Sequence, residues 1–141
     1  MKYLQIKKEN SIATVSINRP NAMNALSIEV LKEFCTLQEY FRKDLDTRVV
    51  IFTGEGDHFS AGADLKEKPQ LSTKLESWRS NFGKPAIKSI LDIDQITIAA
   101  VNGYCLGGAA CIVSACDFRI ASEKAILGLS LIHICRCRRR G

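Results

Sequence analysis

The sequence lacks the features that mark membrane-spanning, exported and zinc-binding proteins. No stretch approaches the roughly 20 apolar residues that a membrane helix needs, and the N-terminal MKYLQIKKENS has no apolar signal-peptide core. The six cysteines include no CxxC pair, and the four before residue 129 have no histidine at zinc-ligand spacing. We therefore expect no metal and no membrane partner. We interpret these four cysteines as small buried side chains of a protein of the reducing cytoplasm.

The chain also has little excess charge outside its last thirteen residues. Its net charge of +5 comes from 20 basic and 15 acidic residues, but four of the arginines lie in LSLIHICRCRRRG, residues 129–141. Without them, 16 basic side chains face 15 acidic ones, which leaves a net charge of +1. Most of the net positive charge lies in residues 129–141, so we expect no nucleic-acid partner for the rest of the chain.

What the sequence does contain begins with a hairpin and a helix. Two short alternating apolar runs flank residues 8–10 and predict a β-hairpin that closes at Pro20. Ser27 is a suitable N-cap for a helix running to about Leu45, because the apolar residues that follow it keep a period of 3.6. Their positions are Val30, Leu31, Phe34, Leu37 and Phe41.

Buried strands and helices then alternate along the chain. RVVIFTG (48–54) and ITIAAVNG (96–103) are apolar runs typical of strands buried on both faces. A helix is predicted between Ser72 and Leu91, and GGAACIVSAC (107–116) and DFRIAS (117–122) predict a further helix and strand. This order predicts an α/β fold with much parallel pairing. The inner residues of the helix before Leu91 are predicted to be Trp78, Phe82, Ile87 and Ile90.

Two turns of small residues, SAGAD (60–64) and LGGAA (106–110), each come after a buried strand. Small side chains let a ligand approach the backbone, and the first N–H groups of a helix have no partner within the helix. Two such N–H groups directed at one oxygen would form an oxyanion hole. The alternative, which these residues leave open, is that Gly and Ala only permit tight packing at these turns.

Four linked motifs in this order resemble the crotonase superfamily, the enoyl-CoA hydratases and isomerases. They are INRPNAMNAL (17–26), FTGEGDHFSAGADL (52–65), IAAVNGYCLGGAA (98–110) and ACDFRIAS (115–122). The likeness covers residues 3–128, so it rests on several motifs at once. It implies the crotonase-like α/β fold, a spiral of ββα units, and an enzyme that stabilises the enolate of a CoA thioester.

The resemblance also implies which residues form the site. The N–H groups of Ala63 and Gly108 stand where the family binds the thioester carbonyl. Contacts to CoA are implied for two segments, while no metal and no cofactor other than the CoA of the substrate are implied. Those CoA-contacting positions are Asn24, Ala25, Leu26, Ala61, Asp64, Leu65 and Lys66.

One position departs from the hydratase pattern. Cys111 occupies the place of the first of the two glutamates that activate water in the family's hydratases. A thiol in an apolar helix is a poor general base, so we expect Cys111 to have a packing role. Hydration is therefore in competition with double-bond isomerisation and with other one-base enolate chemistry, such as decarboxylation or thioester hydrolysis. A crotonase-fold binding protein without catalysis also remains open.

The family pattern is lost after Gly128, where the second glutamate is expected within a few residues. We therefore divide the chain into 1–128, the N-terminal part of a crotonase-fold domain, and 129–141, a tail that resembles translated sequencing adapter. A genuine alternative terminus and an arginine-rich nucleic-acid arm are the competing interpretations of the tail. As written, the chain is expected to be truncated and to have little or no activity. The full-length protein is expected to be a homotrimer or a dimer of trimers.

Overall fold

The structure is a computed structural model that describes residues 1–66 and 83–129. The strands and helices below carry the numbers used throughout. The strands are β1 Leu4–Glu9, β2 Ile12–Ile17, β3 Val49–Gly54, β4 Ile96–Val101, β5 Tyr104–Leu106, β6 Phe118–Ala121 and β7 Ile126–Gly128. The helices are α1 Ile28–Cys35, α2 Leu37–Arg42, α3 Gly83–Leu91 and α4 Gly108–Ala115, and a single 3-10 turn covers Pro20–Ala22.

The predicted N-terminal hairpin is present, but its connection is residues 10–11 and not 8–10, and β2 ends at Ile17 before Pro20. β1 and β2 pair in antiparallel fashion with Leu4 opposite Ile17 and Glu9 opposite Ile12. The two-residue connection places Asn10 at φ 54°, a left-handed conformation that asparagine tolerates better than most residues. Beyond the hairpin the sheet continues in the order β1-β2-β3-β4-β6, and every further pair is parallel. The predicted α/β fold with parallel pairing is confirmed.

The predicted single helix after Ser27 is two helices in the structure. Ser27 is the N-cap as predicted, since its side chain accepts a hydrogen bond from the N–H of Val30 at 3.2 Å. The first helix ends at Cys35 and is capped by Thr36, whose hydroxyl donates to the carbonyl of Glu33 at 2.7 Å and competes with the regular helical bonding. The prediction of one helix to Leu45 was wrong in the number of helices and in the end point, since two helices form and the second ends at Arg42.

The described part of the predicted helix before Leu91 is α3, which packs against α1 and α4. Ile90 is buried and Ile87 is half-buried, in agreement with their predicted inward positions. Trp78 and Phe82, the other two predicted inner residues, lie outside the described residues. The buried Ser89 accepts a hydrogen bond from the N–H of Gln38 at 3.1 Å, which ties α3 to α2.

The core lies between the five-stranded sheet and these helices. Its largest side chains are four phenylalanines, one from each of α1, α2, β3 and the loop after β3, and the rings of Phe34 and Phe52 are 6.2 Å apart. Cys105 and Cys116 belong to the same core, as predicted for small apolar side chains, whereas Cys35 and Cys111 are half-buried. Across residues 1–66 and 83–129, no helix is both long and apolar enough to cross a membrane.

The sequence did not predict a second, smaller layer of strand-like segments. β5 pairs in parallel with β7, and isolated parallel bridges join Leu26 to Ala63 and Ser60 to Cys105. These contacts line up four short segments, 23–26, 60–63, β5 and β7, in parallel. SAGAD therefore forms one segment of this second layer after β3, and LGGAA begins at the end of β5, so short segments separate both turns from the buried strands β3 and β4.

Candidate functional site

The peptide between Gly62 and Ala63 has a defined orientation. The carbonyl of Gly62 accepts a hydrogen bond from the N–H of Leu26 at 2.8 Å. The described residues contain no cis peptide, and in a trans peptide the N–H points away from the carbonyl. The N–H of Ala63 therefore points away from segment 23–26. No acceptor for it lies within hydrogen-bond distance in the described part of the chain.

The side to which this N–H points is occupied by the end of β5. A Cβ atom on Gly62 would lie 2.6 Å from the carbonyl oxygen of Leu106 and 3.8 Å from the Cα of Gly107. Gly62 also adopts φ 90°, which L side chains rarely adopt. Only glycine allows the two backbones to approach so closely, and this approach places Ala63 beside the start of α4.

The second N–H group belongs to Gly108, the first residue of α4. The carbonyl of the preceding Gly107 accepts from the N–H of Ala110 at 3.1 Å, so it points into the first turn of the helix. The N–H of Gly108, on the other side of that peptide, points out of the helix N-terminus. Such N–H groups have no partner within the helix and carry part of its positive end charge.

Space for a ligand adjoins this helix start. Gly107 adopts φ 54°, and a Cβ atom built on it would meet no atom within 4 Å. Its own N–H is fixed by the carbonyl of Gly128 at 2.7 Å, so the turn is held by β7 while its outer face is open. Ala63 is exposed and Gly108 is half-buried. The predicted role of these two N–H groups as an oxyanion hole stays a prediction.

Segment 24–26 forms one wall of the site. Leu26 is buried, and its Cδ1 lies 3.6 Å from the position that a Gly108 Cβ would take. Asn24 is also buried, with its amide donating to the carbonyls of Glu55 at 2.9 Å and His58 at 2.6 Å. Its side chain is thus engaged within the protein. Ala25 is half-buried, and any contact of this segment with CoA stays a prediction.

The loop after Ala63 presents the other predicted CoA positions. The half-buried Ala61 donates its N–H to the carbonyl of Met23 at 2.9 Å. Leu65 has 90% of its surface exposed, and Lys66 is exposed as well. The N–H of Lys66 donates to the carboxylate of Asp64 at 3.1 Å. Leu65 and Lys66 are therefore accessible to a ligand, and their contact with CoA also stays a prediction.

Asp64 has a partner that the sequence did not reveal. Its carboxylate is 3.1 Å from the guanidinium of Arg19, and both side chains are largely buried. The N–H of Lys66 and the Arg19 side chain together hold the pKa of Asp64 below its ordinary value. Arg19 was visible in the motif INRPNAMNAL, but nothing in the sequence indicated that it would reach across 45 residues.

Cys111 lies on α4, one turn after Gly108, and is half-buried. It is close enough to the buried Cys105 to affect its titration. Burial first, and the Cys111 thiol second, raise the pKa of Cys105 to about 11. The Cys105 thiol therefore stays protonated near neutral pH and offers no base to the site. The predicted packing role of Cys111 stays a prediction.

A separate cavity of about 580 Å³ lies where β3 and β4 end, and its walls include His58, Tyr104 and Lys124. The rings of His58 and Tyr104 are 4.6 Å apart, and the N–H of Tyr104 approaches Nδ1 of His58 at 3.4 Å.

Within the described ranges, no group of three or more His, Cys, Asp or Glu side chains is placed to hold a metal ion.

Known proteins resemble this chain in sequence. The model of the enoyl-CoA hydratase/isomerase family matches residues 7–136. The short-chain-enoyl-CoA hydratase of Clostridium acetobutylicum is 38% identical over 87% of this chain and 48% of its own length. The peroxisomal Delta(3,5)-Delta(2,4)-dienoyl-CoA isomerase of Arabidopsis thaliana is 30% identical over 94% of this chain and 53% of its own length.

A solved structure shares the fold. The enoyl-CoA hydratase of Bacillus anthracis superposes with a TM-score of 0.81 at 34% identity, over 89% of this chain and 49% of that protein. The chain thus spans about half the length of the relatives that it matches, and within this span it has their crotonase fold. With the family model matching nearly all of the sequence, the chain belongs to the enoyl-CoA hydratase/isomerase family.

Proposed function

We propose that the protein binds acyl-CoA thioesters and stabilises their enolates with the N–H groups of Ala63 and Gly108. The reaction is hydration of an enoyl-CoA or migration of its double bond. The observation that supports the proposal is that the neighbouring carbonyls of Gly62 and Gly107 are each bound within the protein, so the N–H groups of Ala63 and Gly108 point away from those bonds, close to the open space beside Gly107.

The chemistry requires such a pair of donors. A proton next to a thioester carbonyl becomes acidic only when the enolate oxygen is stabilised, and fixed N–H groups do this without reorganising during the reaction. Removal of one such donor typically costs about 2.7–4 kcal/mol of transition-state stabilisation. The partial positive charge at the start of α4 adds to the effect at Gly108.

The substrate supplies its own CoA, and the proposal needs no metal and no redox cofactor. Leu65 and Lys66, exposed next to Ala63, are suited to contact the coenzyme, and the Lys66 ammonium is suited to its phosphates. Segment 24–26 and Ala61 contribute backbone surface on the same side. The protein is proposed to act in the cytoplasm as a homotrimer or a dimer of trimers.

The choice between hydration and isomerisation depends on the carboxylates. Cys111 stands at the position of the first hydratase glutamate, and Asp64, the acid beside Ala63, is bound to Arg19 and kept ionised. A thiol is a poor general base, and an ionised Asp64 that is bound to Arg19 has no proton to donate, so we favour a reaction with a single base supplied from outside residues 1–128. Decarboxylation, thioester hydrolysis and non-catalytic binding are the alternatives on the same site.

The oxyanion hole is tested by binding a chromophoric thioester such as cinnamoyl-CoA. Hydrogen bonds to the carbonyl polarise the conjugated system, so the bound ligand should absorb at longer wavelength than the free one. Gly108→Pro removes one donor at the first helical position, where proline is tolerated, and should abolish most of this shift. Gly108→Ala keeps the N–H and adds a methyl group in ordinary contact with Leu26, so it is the matched control.

The reaction class is tested by turnover. Hydration of crotonyl-CoA lowers the absorbance of the conjugated thioester, whereas isomerisation of a 3-enoyl-CoA raises it. For the 141-residue chain we expect binding with little or no turnover of either substrate. A wild-type chain that binds cinnamoyl-CoA without any spectral shift would contradict the proposed site.

A further inference from the structure

Arg19 stands at the junction of the two segments that flank the site. It follows the end of β2 and precedes the turn Pro20–Ala22. Its Nη1 donates to the carbonyl of Ala25 at 2.7 Å, and its Nη2 donates to Asp64 at 3.1 Å. The guanidinium carbon also lies 5.4 Å from the centre of the Tyr3 ring. One planar group thus contacts segment 24–26, the loop after Ala63 and the hairpin.

The backbone of Arg19 is fixed as well. Its N–H donates to Oδ1 of Asn24 at 2.8 Å, while the amide of Asn24 holds the carbonyls of Glu55 and His58. The buried Asn24 therefore anchors the point from which the arginine side chain extends. Because its backbone is already held and its guanidinium is planar, Arg19 loses little conformational freedom when it bridges the two segments.

The bridged segments are the ones that orient Ala63. On one side of Ala63, the carbonyl of Gly62 accepts from Leu26 at 2.8 Å. On the other side, the N–H of Asp64 donates to the carbonyl of Leu26 at 3.2 Å, at the long end of the ordinary range and longer than the bond to Gly62. The ion pair between Asp64 and Arg19 adds a second tie on this side of Ala63, and the direction of the Ala63 N–H depends on the ties on both sides.

The pair also affects the charge beside the site. The side chains of Arg19 and Asp64 are only 21% and 12% exposed, so their charges are screened less than a surface pair. An Asp64 carboxylate without its partner would place a negative charge one residue from Ala63. That charge would oppose the negative charge that develops on an enolate oxygen bound there.

We propose that Arg19 is a positioning residue for the oxyanion hole, which keeps the Ala63 N–H aimed at the opening and neutralises Asp64 next to it. This inference rests on the proposed function for the identity of the bound oxygen. The arrangement of Arg19, Ala25 and Asp64 is independent of it. Two measurements on the 141-residue chain distinguish a failure of this inference from a failure of the proposed function.

The first measurement needs no ligand. Amide hydrogen exchange is compared for wild type, Arg19→Gln and Arg42→Gln, the control being an exposed arginine whose partner Glu39 is one turn away on α2. Arg19→Gln should speed exchange at positions 26 and 64 by about tenfold or more, with the central strands unchanged. Arg42→Gln should leave both positions as in wild type. Unchanged exchange at positions 26 and 64 in Arg19→Gln would overturn the proposal.

The second measurement is the spectral shift of bound cinnamoyl-CoA. Arg19→Gln should lose more than half of the wild-type shift, and Arg42→Gln should keep all of it. The double variant Arg19→Gln/Asp64→Asn should recover part of the loss, because it removes the uncompensated charge; no recovery would refute the neutralising role. If Arg19→Gln does not fold, Asp64→Asn, which breaks the same pair with nearly the same shape, decides by its exchange at positions 26 and 64.

The two proposals fail in different ways. Absence of a shift in the wild-type chain refutes the oxyanion hole, while hydrogen exchange still decides whether Arg19 holds the loop. A full wild-type shift that persists in a folded Arg19→Gln refutes the positioning role and leaves the proposed function standing.

Discussion

Gly62 and Gly107 are the two residues on which the opening of the site depends, and they are constrained differently. Both have positive φ, 90° for Gly62 and 54° for Gly107. A side chain on Gly62 would collide with the carbonyl of Leu106, whereas a side chain on Gly107 would enter open space. Substitutions at these two glycines therefore distinguish the cost of backbone strain alone, at Gly107, from the cost of strain together with a steric collision, at Gly62.

We expect Gly107→Ala to lower the free energy of unfolding by about 1–3 kcal/mol, the usual cost of holding an L residue in a sparsely populated backbone conformation, here φ 54° and ψ −119°. Gly62→Ala should cost about 3 kcal/mol or more, because the loop must also move away from Leu106. Urea unfolding of the two variants and wild type measures both values. Equal losses in the two variants would show that the close approach of Gly62 to β5 is absent in solution.

At the scale of elements, Asp44 ties the turn after α2 to the first hairpin. Its carboxylate forms an ion pair with Lys8 and accepts the hydroxyl of Thr47 at 2.7 Å and the N–H groups of Asp46 and Thr47 at 3.3 Å. Lys8 first, and Thr47 second, lower the pKa of Asp44 from 3.8 to about 2. The Asp44 side chain is only 9% exposed, which protects these contacts from solvent.

This lowered pKa predicts how stability depends on pH. A carboxyl group with a lower pKa in the folded state stabilises the fold above its unfolded pKa, near 3.8, and loses this effect as the pH falls towards 2. Asp44→Asn should therefore cost about 1 kcal/mol at pH 5–7, since Lys8 is partly exposed and the pair is partly screened. The difference from wild type should shrink below pH 4.

Urea unfolding between pH 2.5 and 7 measures this difference. Asp46→Asn, a change at the exposed neighbouring residue, is the control and should show no comparable pH-dependent loss. A cost for Asp44→Asn that stays constant down to pH 2.5 would exclude the ion pair as its source.

The elements that the sequence predicted are those with local signals. The hairpin, the Ser27 cap and the buried runs of β3 and β4 follow from apolar periodicity and capping within a few residues. The break at Thr36 depends on a single hydroxyl within a continuous helical pattern. β5 and β7 are three residues long, too short for a periodic signal, and they form only because distant segments pair.

The site also depends on contacts between distant segments, which local sequence patterns do not predict. The small residues of SAGAD and LGGAA indicated two donors, but the positions of the two turns depend on segment 60–63 pairing with segment 23–26 on one side and with β5 on the other. The ion pair of Arg19 and Asp64 joins residues 45 positions apart, and no spacing rule predicts it. The motifs predicted which residues carry the backbone donors, whereas the second layer of strands determines where those residues lie.

At the scale of the whole molecule, β6 and β7 each carry two exposed large apolar side chains. β6 is the last strand in the order of the main sheet, so within the described residues its outer edge is unpaired. Phe118 and Ile120 are 59% and 65% exposed, and Ile126 and Leu127 are 53% and 54% exposed. An unpaired apolar edge is a template for strand pairing with another chain.

We therefore expect the 141-residue chain to self-associate as its concentration rises, and Ile120→Lys to reduce this. Phe118 and Ile120 lie on the same face of β6, so one charge there disrupts the patch. Leu45→Lys, at an 89% exposed position in the turn after α2, is the matched control and should leave association unchanged. Sedimentation velocity over a concentration series measures the effect. An equal reduction by both variants would show that added charge alone, and not the edge of β6, governs association.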